Sequence, residues 1–416
     1  MPATSELTPA AVAAAARALR SVVRETPVEH SDRLSADVGT DVWLKREDLQ
    51  IGRSYKVRGA YNLISSLTGS ERRLGVTCAS AGNHAQGVAF SCRALGIRGK
   101  VFVPTSTPRQ KRARITAIGH PWVDLVLAGA NYDEASTAAL DDAEATGSIY
   151  VHPFDDVRTI AGQGTVAVEL SEQCGDRMGT VIVPVGGGGL IAGIAVWLAE
   201  HAPTVRIVGA EPAGAASMGA ALAAGGPVPL EHVDSFVDGA AVGTVGRLTY
   251  PVVSELVDEM VSVPEGAVCT ELLDLYQTEG IIAEPAAALA SAAARRLPRG
   301  GGPVVCIVSG GNNDVSRYAD IVERSLLFEG LKHYFLVTFP QEPGALRQFL
   351  DGILGPDDDI ALFDYVKKNN RETGPALVGI ELARAGDVDA LLARMAASPL
   401  QIERVPPGSP LFTFLV

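Results

Sequence analysis

Four short stretches place chemically capable residues where β-rich runs give way to helical ones. In Ser54-Tyr55-Lys56-Val57-Arg58-Gly59-Ala60 a primary amine opens a helix just past a strand. Such an amine is a nucleophile or, once deprotonated, a base; taken alone, a lysine is more simply a solvated charge. Ser80-Ala81-Gly82-Asn83-His84-Ala85-Gln86-Gly87 brings small residues to the next strand-to-helix turn. Backbone N–H groups can approach a ligand there, and a helix N-terminus favours a carboxylate or phosphate. The plainer alternatives are an Asn83 cap and a structural His84. Gly186-Gly187-Gly188-Gly189-Leu190 follows the apolar run TVIVPV and precedes an apolar helix. In that position successive bare N–H groups form a nest for a phosphate. Ser309-Gly310-Gly311-Asn312 ends PVVCIVS, so the Ser309 hydroxyl faces whatever fills the crevice, unless it merely turns the chain.

The elements that must position these residues alternate. Strands are predicted at DVWLKRE, GVTCAS, KVFVP, VDLVLAG, SIYVHP, TVIVPVG, VRIVGAE and PVVCIVSGG, with Ala- and Leu-rich helical segments between most of them. Strand–helix alternation of this kind implies an α/β fold, a mostly parallel sheet covered on both faces. Its ligands lie beyond the C-terminal strand ends, where the four stretches fall. After about residue 330 the rhythm changes to strand (KHYFLVTF), helix (GALRQFLDGIL), two strands (DIALFDYVKKN, PALVGIEL), helix (DVDALLARMAAS) and a short extended run. That βαββαβ order predicts a ferredoxin-like α+β domain. The expected division is 1–328 and 329–416.

Together the four stretches, in this order, resemble the fold-type II pyridoxal-phosphate enzymes, and most closely the biosynthetic threonine dehydratases (threonine ammonia-lyases). The resemblance covers nearly the whole chain. It implies two open α/β subdomains, of which a small mobile one, roughly residues 50–150, closes over the substrate. SYKVRGA is similar to the family's Schiff-base motif, so Lys56 would carry pyridoxal 5'-phosphate and act as the catalytic base. Tyr55 would pack on the cofactor ring where relatives commonly have Phe. Asn83 would bond the ring oxygen, Gly186, Gly187, Gly188, Gly189 and Leu190 the phosphate, and Ser309 the ring nitrogen. Ser80, Ala81, Gly82, Asn83 and His84 would hold the substrate carboxylate, and Glu284 matches a family glutamate near the cofactor. The implied reaction is deamination of L-threonine to 2-oxobutanoate, the first step of isoleucine biosynthesis. The C-terminal part resembles an ACT-like regulatory domain in a single copy, implying inhibition by isoleucine, opposition by valine, and a homotetramer.

Two other readings start from the same residues. Gly187, Gly189 and Ala192 fit G-x-G-x-x-A, and Glu211 ends the next strand like the ribose-binding acid of a nicotinamide-dependent oxidoreductase. A serine dehydratase or racemase would use the same fold. Glu211 also resembles a cation-ligand position in related enzymes, but Ser217 stands where an acid is expected there, so the metal is left open.

Composition narrows the field further. The chain has 416 residues, 47 % of them hydrophobic and 20 % charged, with a net charge of −13. Such acidity disfavours nucleic acid and anionic membrane surfaces. The one basic run, Arg109 to Arg114, reads as the solvated start of a helix. Five widely spaced cysteines without a CxxC fit buried free thiols and a cytoplasmic location. The N-terminal Ala stretch lacks the basic start of a signal peptide. It reads as a helix capped by Thr8 with Pro9 at its first position.

Overall fold

The computed structural model describes residues 6–298, 300, 302–365 and 371–415. The chain divides into two compact units, Met1–Asp314 and Val315–Val416. The helix Tyr318–Phe328, placed before the boundary by the sequence, is thereby grouped with the second unit.

Among the described residues the first unit contains ten strands: β1 (Val28–His30), β2 (Val42–Arg46), β3 (Val76–Ala79), β4 (Gly99–Val103), β5 (Val123–Leu127), β6 (Ile149–Tyr150), β7 (Thr180–Pro184), β8 (Arg206–Pro212), β9 (Glu259–Val263) and β10 (Val304–Val308). Six form a sheet in the order β1-β2-β10-β7-β8-β9, parallel except for β1. Four form a smaller, wholly parallel sheet, β5-β4-β3-β6. All eight strands predicted in this part of the chain are present. The two that were not anticipated, β1 and β9, are the two edges of the large sheet. β1 is only three residues long, both are partly exposed, and VEH and EMVSV lack the unbroken apolar run of the buried centre. Strands β7 (TVIVP) and β10 (VVCIV) are buried throughout, as strands covered on both faces must be.

The helices that cover the large sheet pack closely because of glycine. Val157–Cys174 crosses Gly189–His201 at Gly164 and Gly193, where a Cβ on Gly193 would lie 2.4 Å from the Ile160 carbonyl oxygen. Ile160, Val166, Leu170, Ile191, Ile194 and Val183 fill the space around the crossing. The first helix, Pro9–Leu19, starts as its sequence requires, with Thr8 Oγ1 accepting from the Ala11 N–H at 3.2 Å. The basic run opens the helix Arg109–Gly119. All five cysteines are free and buried.

The second unit has β11 (Lys332–Pro340), β12 (Asp359–Tyr365), β13 (Thr373–Glu381) and β14 (Gln401–Arg404) in the antiparallel order β12-β13-β11-β14. With the helices Ala345–Ile353 and Val388–Ala397 this is the expected βαββαβ sandwich. Phe335, Phe339, Phe349, Val378, Ile380 and Leu391 make its core. The end of the DIALFDYVKKN run, 366–370, lies outside the described residues. The terminal run is extended only over β14; Pro410–Leu415 is helical.

Candidate active site

The first stretch sits where the sequence put it. The helix Lys56–Ser65 begins directly after Tyr55. Its start is tied to the end of β10: the Tyr55 N–H donates to the Ser309 carbonyl at 3.2 Å, and Ser54 forms a bridge with Gly310. Lys56 and Ser309, far apart in sequence, are thus neighbours in space. The Lys56 ammonium donates to the Pro153 carbonyl oxygen at 3.1 Å and lies 5.2 Å from the centre of the Tyr55 ring. Burial lowers the pKa of this amine to about 8, against the pull of the Glu284 carboxylate. A lysine near pH neutrality exists partly as the free base.

Beneath it lies a network that motif reasoning did not reach. Arg58, 1 % exposed, grips Glu47 with two hydrogen bonds of 2.7 and 2.8 Å and reaches Glu169 at 2.6 Å. Lys45, fully buried, meets the other Glu169 oxygen at 2.6 Å and also donates to the Thr26 carbonyl and Gln173. Burial pushes the Glu47 pKa up, but Arg58 beside it outweighs this and holds it below the usual carboxylate range. Paired and hydrogen-bonded on every side, these buried charges anchor the lysine helix to β2 and to the helix Val157–Cys174.

The second stretch opens the helix Asn83–Leu95 after β3. Ser80 Oγ accepts from the Gly82 N–H at 3.2 Å, Ala81 packs against the core of the small sheet, and Gly82 leads into the helix. Asn83 donates to Glu284 Oε1 at 2.6 Å and accepts from Asn312 at 2.6 Å, which leaves its second amide N–H to donate elsewhere. Glu284 is buried, its pKa raised to about 7 by that burial and by the nearby Asp238 charge. His84 turns inward. Its Nε2 pairs with the Val151 carbonyl at 2.8 Å, and burial first, then Lys56, lowers its pKa to about 3. A neutral imidazole fixed to the backbone fits the structural alternative better than a base.

The third stretch forms a nest. Gly188, with φ 91°, turns β7 into the helix Gly189–His201, and among the described residues the N–H groups of Gly186 to Leu190 find no backbone acceptor. The Gly187 carbonyl is held by the Thr249 hydroxyl at 2.7 Å. A Cβ on Gly187 would lie 2.4 Å from the Phe154 ring, so only glycine leaves this cradle open. A helix N-terminus with free N–H groups suits a phosphate, and the amine of Lys56 suits an aldehyde. The residues therefore fit pyridoxal phosphate.

Sequence reasoning missed the Pro153 acceptor, the Phe154 wall and Asp155. The Asp155 carboxylate accepts the N–H groups of Arg247 and Leu248 at 3.0 and 2.8 Å, fastening this loop to the segment after the nest. No motif marks it; only the run VHPFDD between a short strand and a helix hinted at a turn.

Glu211 decides against the dinucleotide alternative. Its two oxygens accept the N–H groups of Met218 and Gly219 at 2.6 and 2.9 Å, at 2 % exposure, so it caps the helix Ser217–Ala224 and offers nothing to a ribose. Among the described residues no group of three His, Cys, Asp or Glu is arranged to hold a metal.

Comparison with known proteins agrees. Residues 19–310 match the family of pyridoxal-phosphate dependent enzymes, and residues 323–415 match the C-terminal regulatory domain of threonine dehydratase. The biosynthetic L-threonine dehydratase IlvA of Mycobacterium tuberculosis is 59 % identical over 97 % of this chain and 94 % of its own. The chain belongs to the biosynthetic threonine dehydratase family. Another relative, the Bacillus subtilis biosynthetic L-threonine dehydratase IlvA, is 47 % identical over 96 % of this chain and 95 % of its own. Among solved structures, the processed form of tomato (Solanum lycopersicum) threonine deaminase isoform 2 superposes with a TM-score of 0.72 at 39 % identity, over 76 % of this chain and 93 % of that one. Maize serine racemase gives 0.71 at 31 %, over 77 % and 98 %. The family's fold-type II architecture, its dependence on pyridoxal phosphate and its ammonia-lyase chemistry are those the motifs implied.

Proposed function

We propose that this chain converts L-threonine to 2-oxobutanoate and ammonia, supplying isoleucine biosynthesis. The observation that carries this reading is the pairing of the Lys56 amine with the glycine nest, in a chain that follows the threonine dehydratases along nearly its whole length. Bound pyridoxal phosphate withdraws electrons from the substrate Cα and so makes its proton acidic. Lys56 would hold the cofactor through its amine and, when that amine is free, would take the Cα proton as a base. Gly186 to Leu190 would bind the phosphate, Tyr55 would pack on the ring and Asn83 would bond its oxygen. Ser309 would meet the ring nitrogen as a neutral hydroxyl, a setting suited to elimination more than to transamination. The loop Ser80 to His84 takes the substrate carboxylate at the helix N-terminus, and Glu284 orients Asn83.

The domains are assigned as 1–328 for catalysis, with residues 50–150 as the closing part, and 329–416 for regulation. Isoleucine inhibits by binding the regulatory domain, valine opposes it, and the enzyme is a cytoplasmic homotetramer. A single ACT-like unit supports an effector site shared between subunits. Coupling is reciprocal, so threonine weakens isoleucine binding by the factor that isoleucine weakens threonine binding.

The test is 2-oxo acid release from L-threonine by the cofactor-loaded protein, with and without isoleucine. Turnover suppressed by isoleucine supports both halves; absence of oxo acid overturns the lyase reading. The maize serine racemase neighbour favours serine as a second substrate to try. One methyl group separates the two, worth about 1–3 kcal/mol in a pocket, so the ratio of kcat/KM decides.

A further inference from the structure

One polar side chain beside Lys56 has no part in the site described so far. His152 directly precedes Pro153, whose carbonyl oxygen accepts from Lys56 at 3.1 Å. The imidazole is fixed on one side. Its Nδ1 lies 2.8 Å from the Asp155 N–H and 3.3 Å from the Phe154 N–H, and both donate to it. An Nδ1 that accepts cannot carry a proton, so the neutral ring carries it on Nε2. The ring plane is set as well: Phe154 meets it edge to face at 4.7 Å and Tyr150 at 6.0 Å. The His152 carbonyl is held by the Thr159 hydroxyl at 3.1 Å. Burial first, with the Lys56 charge adding to it, lowers the imidazole pKa against the pull of Asp155 and Asp156, which favours the neutral ring.

The result is a rigid N–H donor aimed by its own loop. Nε2 has no partner among the described residues and is not fully enclosed by protein. The loop that carries it lies between two parts of the site: Pro153 touches the Lys56 amine, and Phe154 backs Gly187 of the nest. His152 is thereby one residue from the carbonyl that holds the Lys56 amine and two from the ring that backs the nest.

We propose that His152 is a specificity-determining residue whose Nε2–H donates a hydrogen bond to the side-chain hydroxyl of the substrate. This rests on the lyase reading above. In the elimination the Cβ–O bond breaks and its electron pair stays on oxygen. The hydrogen bond stabilises the charge that gathers there, and no proton leaves His152. The proton taken from Cα and the departing hydroxide make the one water released. A site built to bond a hydroxyl also rejects substrates that lack it, because the donor is then left unmatched.

His152→Asn isolates the donor. Its amide oxygen can replace Nδ1 as acceptor for the Phe154 and Asp155 N–H groups, but nothing reaches the place of Nε2. The expected result is a fall of about 10- to 100-fold in kcat/KM for L-threonine. Elimination of chloride from β-chloro-L-alanine, whose leaving group needs no such help, should stay within about threefold. The inhibition constant of L-2-aminobutanoate, threonine without its hydroxyl, should be unchanged. His152→Gln, which can restore a donor near Nε2, should recover part of the threonine activity. Equal losses on both substrates, or an unchanged threonine rate, would overturn the assignment. A wild-type enzyme that eliminates chloride but leaves L-threonine untouched would instead overturn the lyase reading itself.

Discussion

The molecule contains two four-stranded sheets that use the same number of strands to opposite ends. In β5-β4-β3-β6 every strand is parallel, and β3 is buried along its whole length. Its side chains serve packing, and what remains for chemistry is gathered at the strand ends, in SAGNH after β3 and HPFD after β6. In β12-β13-β11-β14 the strands are antiparallel, and exposure varies along each: β13 begins exposed, buried, exposed, buried. One face makes the core; the other is exposed at Thr373 and Pro375 but covered at Tyr334 and Gly379. A parallel sheet concentrates function into a few loops; an antiparallel one spreads it over a face. Point changes should therefore act on chemistry in the first region and on folding in the second.

The sharpest test of that contrast is Lys56→Ala. Turnover of L-threonine should fall by about 1,000-fold or more, with the far-ultraviolet circular dichroism unchanged. Persistent activity would remove the lysine from the mechanism. The counterpart is Phe349→Ala in the regulatory unit, where the ring is 1 % exposed in the core. It should cost about 3–5 kcal/mol of that unit's stability. Chemical denaturation should show the loss, while threonine turnover without isoleucine stays near normal and the isoleucine response fails. A collapse of basal turnover would break the comparison. Next comes Gly187→Ala, which drives a methyl group into the Phe154 ring. Cofactor affinity, read from the visible absorbance on titration, should weaken about 10- to 100-fold, since the nest must open to admit the side chain.

The smallest effect expected is thermodynamic. Burial raises the Glu211 pKa to about 7 even though two N–H groups favour its ionised form. A carboxyl whose folded pKa lies above its unfolded value stabilises most below the unfolded pKa. That contribution is lost as pH rises from about 4.5 toward 7 and through it. Glu211→Gln should remove this slope, amounting to roughly 1–3 kcal/mol. Melting temperatures from pH 5 to pH 8 would check it; parallel curves for wild type and variant would refute it.

Much of this was legible in the sequence because the decisive residues are local. A glycine run after TVIVPV, or a lysine after a turn, declares itself within a few positions. The Lys45–Glu47–Arg58–Glu169 network does not, because its members come from separate elements and join only when β2 and two helices pack. His152 was hidden for a related reason: its meaning lies in two backbone N–H groups that its own loop turns toward it. The edge strands β1 and β9 were missed because half-buried short runs carry no strong period. Residue roles in effector binding stayed unreadable, since an alternating face marks no single position.

Ionic strength separates two kinds of contact that a list of charge pairs would merge. The anchor below Lys56 is largely shielded from water, with Lys45, Glu47 and Arg58 buried and Glu169 half-buried, so dissolved salt has little purchase on it. The pair Lys111–Asp238, 3.1 Å apart, joins the helix Arg109–Gly119 to the long segment that follows the nest, with both partners substantially exposed. Counter-ions will compete for that contact first. A salt titration should loosen the hold of the small sheet's layer on the rest of the catalytic unit while the lysine stays in place. Brine thus becomes a tool for telling closure from chemistry.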